Sequence, residues 1–161
     1  MASALHVFFL LCGISGLLTG AWSWPQRDNR DGYCPKGWTQ LDDLCYILQE
    51  EPRSFADAER LCNILGGNLA SITSALNNAV VYQLLVARDE LKAWIGLSDA
   101  VQENTFFWND GKLFGFDNFG PDEPKGVGDC VLIYISGQWY DCDCADEYPY
   151  VCIREASLAD H

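Results

Sequence analysis

The sequence predicts an α+β fold held by disulfides. Two stretches with helical periodicity come early, between Ser54 and Arg88. Short strand-like runs surround and follow them, and a long loop rich in Gly, Pro, Asn and Asp runs from Asn109 to Asp129. A chain of 161 residues allows one domain with an arm. It is 49% apolar and 13% aromatic, too hydrophobic for a disordered segment. Its 10 basic and 23 acidic side chains give a formal net charge of −13, which argues against nucleic acid and anionic membrane as partners. The two histidines, His6 and His161, leave no interior imidazole for a Ser–His or Cys–His pair or for a zinc site.

From Ala4 to Leu18 the chain is apolar and uncharged. That run is shorter than the roughly 20 residues a membrane span needs. Ala21-Trp22-Ser23 follows with the small-x-small form of a cleavage site, so residues 1–23 are expected to be a signal peptide and the product to be secreted and extracellular. Residues 24–33 are polar and read as a short flexible arm, 34–154 as the domain, and 155–161 as a tail.

Ser54 can cap the first helix, with Asp57 in its first turn. Phe55, Ala58, Cys62 and Leu65 share one face, and Gly66-Gly67 ends the helix. The second helix spans about Ser74 to Arg88, with Leu76, Ala79, Val80, Leu84 and Ala87 as its apolar face. Strand-like runs are Cys45 to Leu48, Asn68 to Ile72, Ala93 to Leu97, Phe106 to Trp108, Cys130 to Ile135, Gln138 to Asp141 and Tyr150 to Ile153. The long loop between the fourth and fifth runs is a candidate functional element. Cys12 leaves with the signal, and the seven remaining cysteines read as disulfides with one left over. Zinc fits poorly, because Cys142-Asp143-Cys144 is too closely spaced for a zinc knuckle. Asp141, Asp143, Asp146 and Glu147 form a dense acidic group, but without a base or metal they read as a solvated edge, and no enzyme is expected.

Several motifs occur in a set order: Cys34-Pro35-x-Gly37-Trp38, Cys45-Tyr46, Ala58-Glu59-x-x-Cys62, Gly67-x-Leu69-Ala70-Ser71-Ile72, Trp94-Ile95-Gly96-Leu97, Phe107-Trp108-x-Asp110-Gly111, Glu123-Pro124, Asp129-Cys130-Val131, Trp139-x-Asp141 and Cys144-x₇-Cys152. Together they resemble a C-type lectin domain of the long form, and the chain resembles the small secreted lectins of fish mucus. The resemblance implies disulfides Cys34–Cys45, Cys62–Cys152 and Cys130–Cys144, with Cys142 left over. Cys142 is then a candidate for an interchain bridge and a covalent homodimer. The rival is a Cys142–Cys144 ring that leaves Cys130 over.

The resemblance also implies a calcium site in the long loop, built from five oxygen-donor side chains that hold the ion and the sugar's hydroxyls together. Glu123 and Asp141 match two of these positions. Lys125 stands at the Asn or Asp of the Glu-Pro-Asn or Gln-Pro-Asp triplet, Gly128 at the second Glu, and Tyr140 at the later Asn. No metal site is therefore assigned, and no cofactor is expected. Lys125 can donate to sugar hydroxyls where the ion once sat, with Glu123 and Asp141 accepting and Phe119, Tyr140 or Trp139 stacking on the ring. The expected function is a secreted, carbohydrate-binding agglutinin of innate or mucosal defence, β-galactoside-directed and weakly dependent or independent of calcium. The alternative is a domain that has lost sugar binding and works through protein–protein contacts. Ice binding is disfavoured, since the loop from Asn109 to Asp129 contains no Thr.

Overall fold

The computed structural model describes residues 32–157. The expected signal peptide, the expected arm up to residue 31 and the expected tail from residue 158 lie outside them. The described elements are β1 (Thr39–Leu41), β2 (Leu44–Arg53), α1 (Phe55–Ile64), β3 (Asn68–Leu69), α2 (Ala75–Arg88), β4 (Lys92–Ser98), β5 (Phe107–Trp108), β6 (Cys130–Tyr134), β7 (Trp139–Cys142) and β8 (Tyr148–Glu155). The strands form one sheet in the order β1-β2-β8-β4-β6-β7, with β3 added to β8 and β5 to β4. All pairs are antiparallel except β4 with β8. The last strand therefore lies in the middle of the sheet. Beyond it, the Ala156 N–H donates to the Asp43 carbonyl at 2.8 Å and the Tyr33 N–H to the Ser157 carbonyl at 2.9 Å. Backbone pairing thus continues past Arg154 into the segment read as tail.

Residues Ala93 to Leu97 of β4 are all buried, because the sheet is covered on both faces. Side-chain alternation sorts them. Trp94, Leu132, Tyr150 and Cys152 pack with Phe55, Ala58 and Cys62 of α1. Ala93, Ile95, Leu97, Val131 and Ile133 pack with Val81 and Leu85 of α2 and with Trp108 and Trp139.

Helix α1 starts as expected, with the Ser54 hydroxyl accepting from the Asp57 N–H at 3.4 Å. It ends at Gly66, whose φ of +83° suits glycine, and at Gly67, where a Cβ would lie 2.0 Å from the Ile153 carbonyl oxygen. Leu65 lies past the helix end and is 37% exposed rather than buried. Helix α2 corrects the sequence reading more deeply. The expected apolar face is turned outward: Leu76 is 57% exposed, Ala79 and Ala87 are exposed, and Val80 and Leu84 are half-buried at its margin. The buried face is Asn77, Asn78, Val81 and Leu85. Hydrogen bonds decide the rotation. Asn78 donates to the Gly137 carbonyl at 3.0 Å and accepts from the Trp139 indole N–H at 2.8 Å, while Asn77 accepts from the Thr73 hydroxyl at 3.1 Å.

Three disulfides close the fold: Cys34–Cys45, Cys62–Cys152 and Cys130–Cys144. Cys142 is free, and the rival ring with Cys144 is not formed. No helix among the described residues is long and apolar enough to cross a membrane.

Candidate functional site

The loop between β5 and β6 is anchored at both ends before any ligand chemistry enters. At its start, Glu59 of α1 accepts from the Asn109 side chain at 3.0 Å and also from the Leu69 N–H at 2.7 Å and the Asn68 amide at 2.7 Å. One carboxylate thus ties α1, β3 and the loop together. Further on, Phe116 and Phe119 meet Trp139 edge-on, with ring centroids 5.8 and 5.7 Å away. The Gly120 N–H donates to the Trp139 carbonyl at 2.9 Å, and the Trp139 N–H to the Asn118 carbonyl at 3.0 Å.

These anchors bring Glu123, Lys125 and Asp141 together. The Glu123–Pro124 peptide bond is cis. The Lys125 ammonium sits 2.5 Å from Glu123 Oε1. Its own side chain is 54% exposed, while that of Glu123 is 3% exposed. The hydrogen bond and charge of Glu123 push the Lys125 ammonium above the usual lysine value. Asp141 faces the same loop from β7 and accepts from the Val127 N–H at 2.9 Å. Burial would raise its carboxyl, but hydrogen bonding with Glu123 and with the amides of Val127, Lys125 and Gly126 outweighs burial and holds it below the usual aspartate range. Glu123 is engaged through Oε1 alone, its Oε2 being buried without a hydrogen-bond partner, and Asp141 is engaged through Oδ2. Glu123 is the counter-ion of Lys125, and Asp141 binds the backbone that carries Lys125.

The aromatic candidates separate. Trp139 is fully buried, and Phe119 is half-buried between Phe106 and Trp139. Tyr140 is half-exposed and lies against Gly120, where a Cβ would come within 2.7 Å of its ring. Sequence reading missed its neighbour Tyr134, 4.5 Å away between centroids, and Lys92, which lies over the rings of Tyr134 and Tyr148. The available signal was the two-residue alternation along β6 and β7, which puts Tyr134 and Tyr140 on one face.

The loop does not fit a calcium ion. Calcium needs six to eight oxygen ligands. Lys125 brings a cation to the place and pairs with Glu123 Oε1, and only two carboxylates, Glu123 and Asp141, face it. A side chain at Gly128 would meet the backbone of Cys142 at 2.2 Å, so that position cannot hold a carboxylate without moving β7. Among the described residues, no group of three or more His, Cys, Asp or Glu is arranged to hold a metal ion. Beside this loop, the Cys142 thiol is half-buried and points at Asp146 Oδ2 at 3.5 Å and the Tyr148 hydroxyl at 3.7 Å. Burial pushes its pKa up. A bridge to a second copy would require it to leave both partners.

A sheet covered by two helices, closed by these disulfides and carrying an anchored loop of this kind defines a class. The family model of the lectin C-type domain matches residues 51–154, and the chain belongs to that family. Ladderlectin of Oncorhynchus mykiss is 34% identical over 129 residues, a match covering 76% of this chain and 67% of that one. Among solved structures, human lithostathine aligns with a TM-score of 0.72 at 29% identity, over 76% of this chain and 99% of that one. Herring type II antifreeze protein aligns with a TM-score of 0.71 at 26% identity, over 76% and 98%.

Proposed function

We propose that this chain is a secreted carbohydrate-binding lectin that holds sugar hydroxyls through Lys125 instead of through calcium. The observation that carries this reading is the Lys125–Glu123 pair, with its ammonium half in solvent and its counter-ion buried. An ammonium has three donors. One is spent on Glu123, and the others face outward, where vicinal hydroxyls can accept them. Asp141 keeps the loop backbone in place. The likeness to a fish lectin supports sugar binding. Likeness to an antifreeze protein raises ice binding as a second use of the fold. The loop from Asn109 to Asp129 has no Thr to present to ice, which favours sugar.

A glycan array run with calcium and again with chelator tests the reading. The expected result is binding, with β-galactosides among the ligands, at equal strength in both conditions. Binding that collapses in chelator and returns with calcium would overturn it, as would a blank array in both conditions.

A further inference from the structure

We propose that Cys130, Cys142 and Cys144 form a disulfide-exchange triad, in which the bridge at the end of the long loop moves between Cys130–Cys144 and Cys130–Cys142. The inference uses no sugar chemistry and stands apart from the function proposed above. It begins from the register of the β6–β7 hairpin, where Cys130 and Cys142 are direct partners in the antiparallel ladder. Direct partners point to the same face of a sheet, with Cα atoms about 4.5–5.5 Å apart. That separation lies inside the roughly 4.4–6.8 Å that a disulfide spans. The free thiol therefore stands opposite the bridged cysteine at which the long loop enters β6. All three cysteines belong to, or pack against, the core cluster that α1 covers.

The chemistry balances within the chain. The Cys142 thiol gives up its proton, and the thiolate attacks Cys130 Sγ. The Cys130–Cys144 bond breaks as the Cys130–Cys142 bond forms, and Cys144 leaves as a thiolate that takes up a proton. These three residues hold one disulfide and one thiol before and after, so no oxidant or reductant is consumed. The new ring is two residues shorter than the existing one, whose separation is 14. The two rings therefore restrict the unfolded chain almost equally, and chain entropy favours neither form strongly.

The folded surroundings set the rate and the consequence. Cys142 is half-buried and donates toward Asp146 Oδ2 at 3.5 Å and the Tyr148 hydroxyl at 3.7 Å. Burial keeps it a thiol, so exchange is slow, on the minutes-to-hours scale of uncatalysed rearrangement. After exchange the free thiol is at Cys144, in the turn before β8, between the exposed residues Asp143 and Ala145. The Cys144 carbonyl accepts from the Phe55 N–H at 3.1 Å, at the start of α1, so its backbone keeps an anchor when its sulfur is released. Cys130 is bridged in both forms, and the loop end stays tied. Exchange thus carries the reactive thiol from a strand to an exposed turn without releasing the loop.

Alkylation mapping of the oxidised chain decides the matter. The native chain is held at neutral pH for a day, treated with iodoacetamide, quenched in acid and cleaved before aspartate without reduction. Cleavage before Asp143 separates Cys142 from Cys144. Two products are expected: alkylated Cys142 with a Cys130–Cys144 bridge, and alkylated Cys144 with a Cys130–Cys142 bridge. In denaturant, Cys144→Ser should titrate with one thiol fewer than the unaltered chain, because Cys130 and Cys142 then pair. Cys142→Ser should also lose one thiol, with Cys130–Cys144 as its bridge and no alkylation at Cys144. Alkylation confined to Cys142 would overturn the inference. So would alkylated Cys130, which would mean a Cys142–Cys144 ring, or a Cys144→Ser chain with one thiol more than the unaltered one. If Cys144→Ser does not fold, the products from the unaltered chain decide alone.

Discussion

Lys125 and Gly128 are the two loop residues that depart from the calcium-ligand set the family resemblance implies, as Tyr140 does on β7. Lys125 is an exposed ammonium tethered to a buried carboxylate, so removing it takes away both the proposed sugar donor and the partner of Glu123. Lys125→Ala should weaken sugar binding about tenfold, the effect of losing one charge-assisted hydrogen bond. Calorimetric titration with the best array ligand reads this, and unchanged affinity would place the sugar elsewhere. Gly128 answers the reverse question, whether the calcium site can be rebuilt. Gly128→Glu restores the carboxylate by residue type, but its Cβ must enter the space of the Cys142 backbone, 2.2 Å away. The variant should lose about 2–4 kcal/mol of stability, the scale of severe overpacking, and gain no calcium-dependent rise in melting temperature. Denaturant titration with and without calcium measures both effects.

At the scale of elements, the orientation of α2 rests on Asn78. Its side chain bonds the Gly137 carbonyl in the β6–β7 turn and the Trp139 indole at the start of β7, the strand that bears Tyr140 and Asp141. The helix, the hairpin and the loop clamped on Trp139 are thereby one unit. Asn78→Leu is close in volume but leaves the buried Trp139 indole N–H without a partner, while the Gly137 carbonyl keeps the Asn118 amide at 2.7 Å. A drop of about 1–3 kcal/mol is expected. Chemical denaturation should show the loss as a lower midpoint. A near-neutral result would mean that packing by Val81 and Leu85 alone orients the helix.

Across the whole molecule, the two halves of the chain are held by the Cys62–Cys152 bridge, at a sequence separation of 90, linking α1 to the central strand β8. On chain-entropy grounds a bridge over that span contributes about 4–5 kcal/mol, more than either shorter disulfide, because it removes the most freedom from the unfolded chain. Replacing Cys62 and Cys152 with Ala should therefore cost about that much. Replacing Cys34 and Cys45, at a separation of 11, should cost less. The order of melting temperatures among the two double variants checks this, and a reversed order would show that native packing around the bridges outweighs chain entropy.

The sequence by itself determined the α+β class, the cap at Ser54 and the stop at Gly66-Gly67. Through motif order it also determined the family and the three disulfide pairs. All of these depend on residues near one another in the chain, or on motif spacing that needs no coordinates. It also determined that the calcium donor set is incomplete, since Lys125 and Gly128 are visible as residue types. Only the tertiary structure decided which face of α2 is buried. Periodicity ranks residues by hydrophobicity, and here Asn78 outranked leucine because its partners, Gly137 and Trp139, lie some sixty residues away in sequence. It alone decided that Glu123 and Asp141 turn inward to hold Lys125 and the loop amides, because the groups that claim a carboxylate are fixed by contact and not by chain position. It also decided that Phe119 packs against Trp139 instead of standing free: a ring in a loop is exposed or buried according to what the rest of the fold sets beside it.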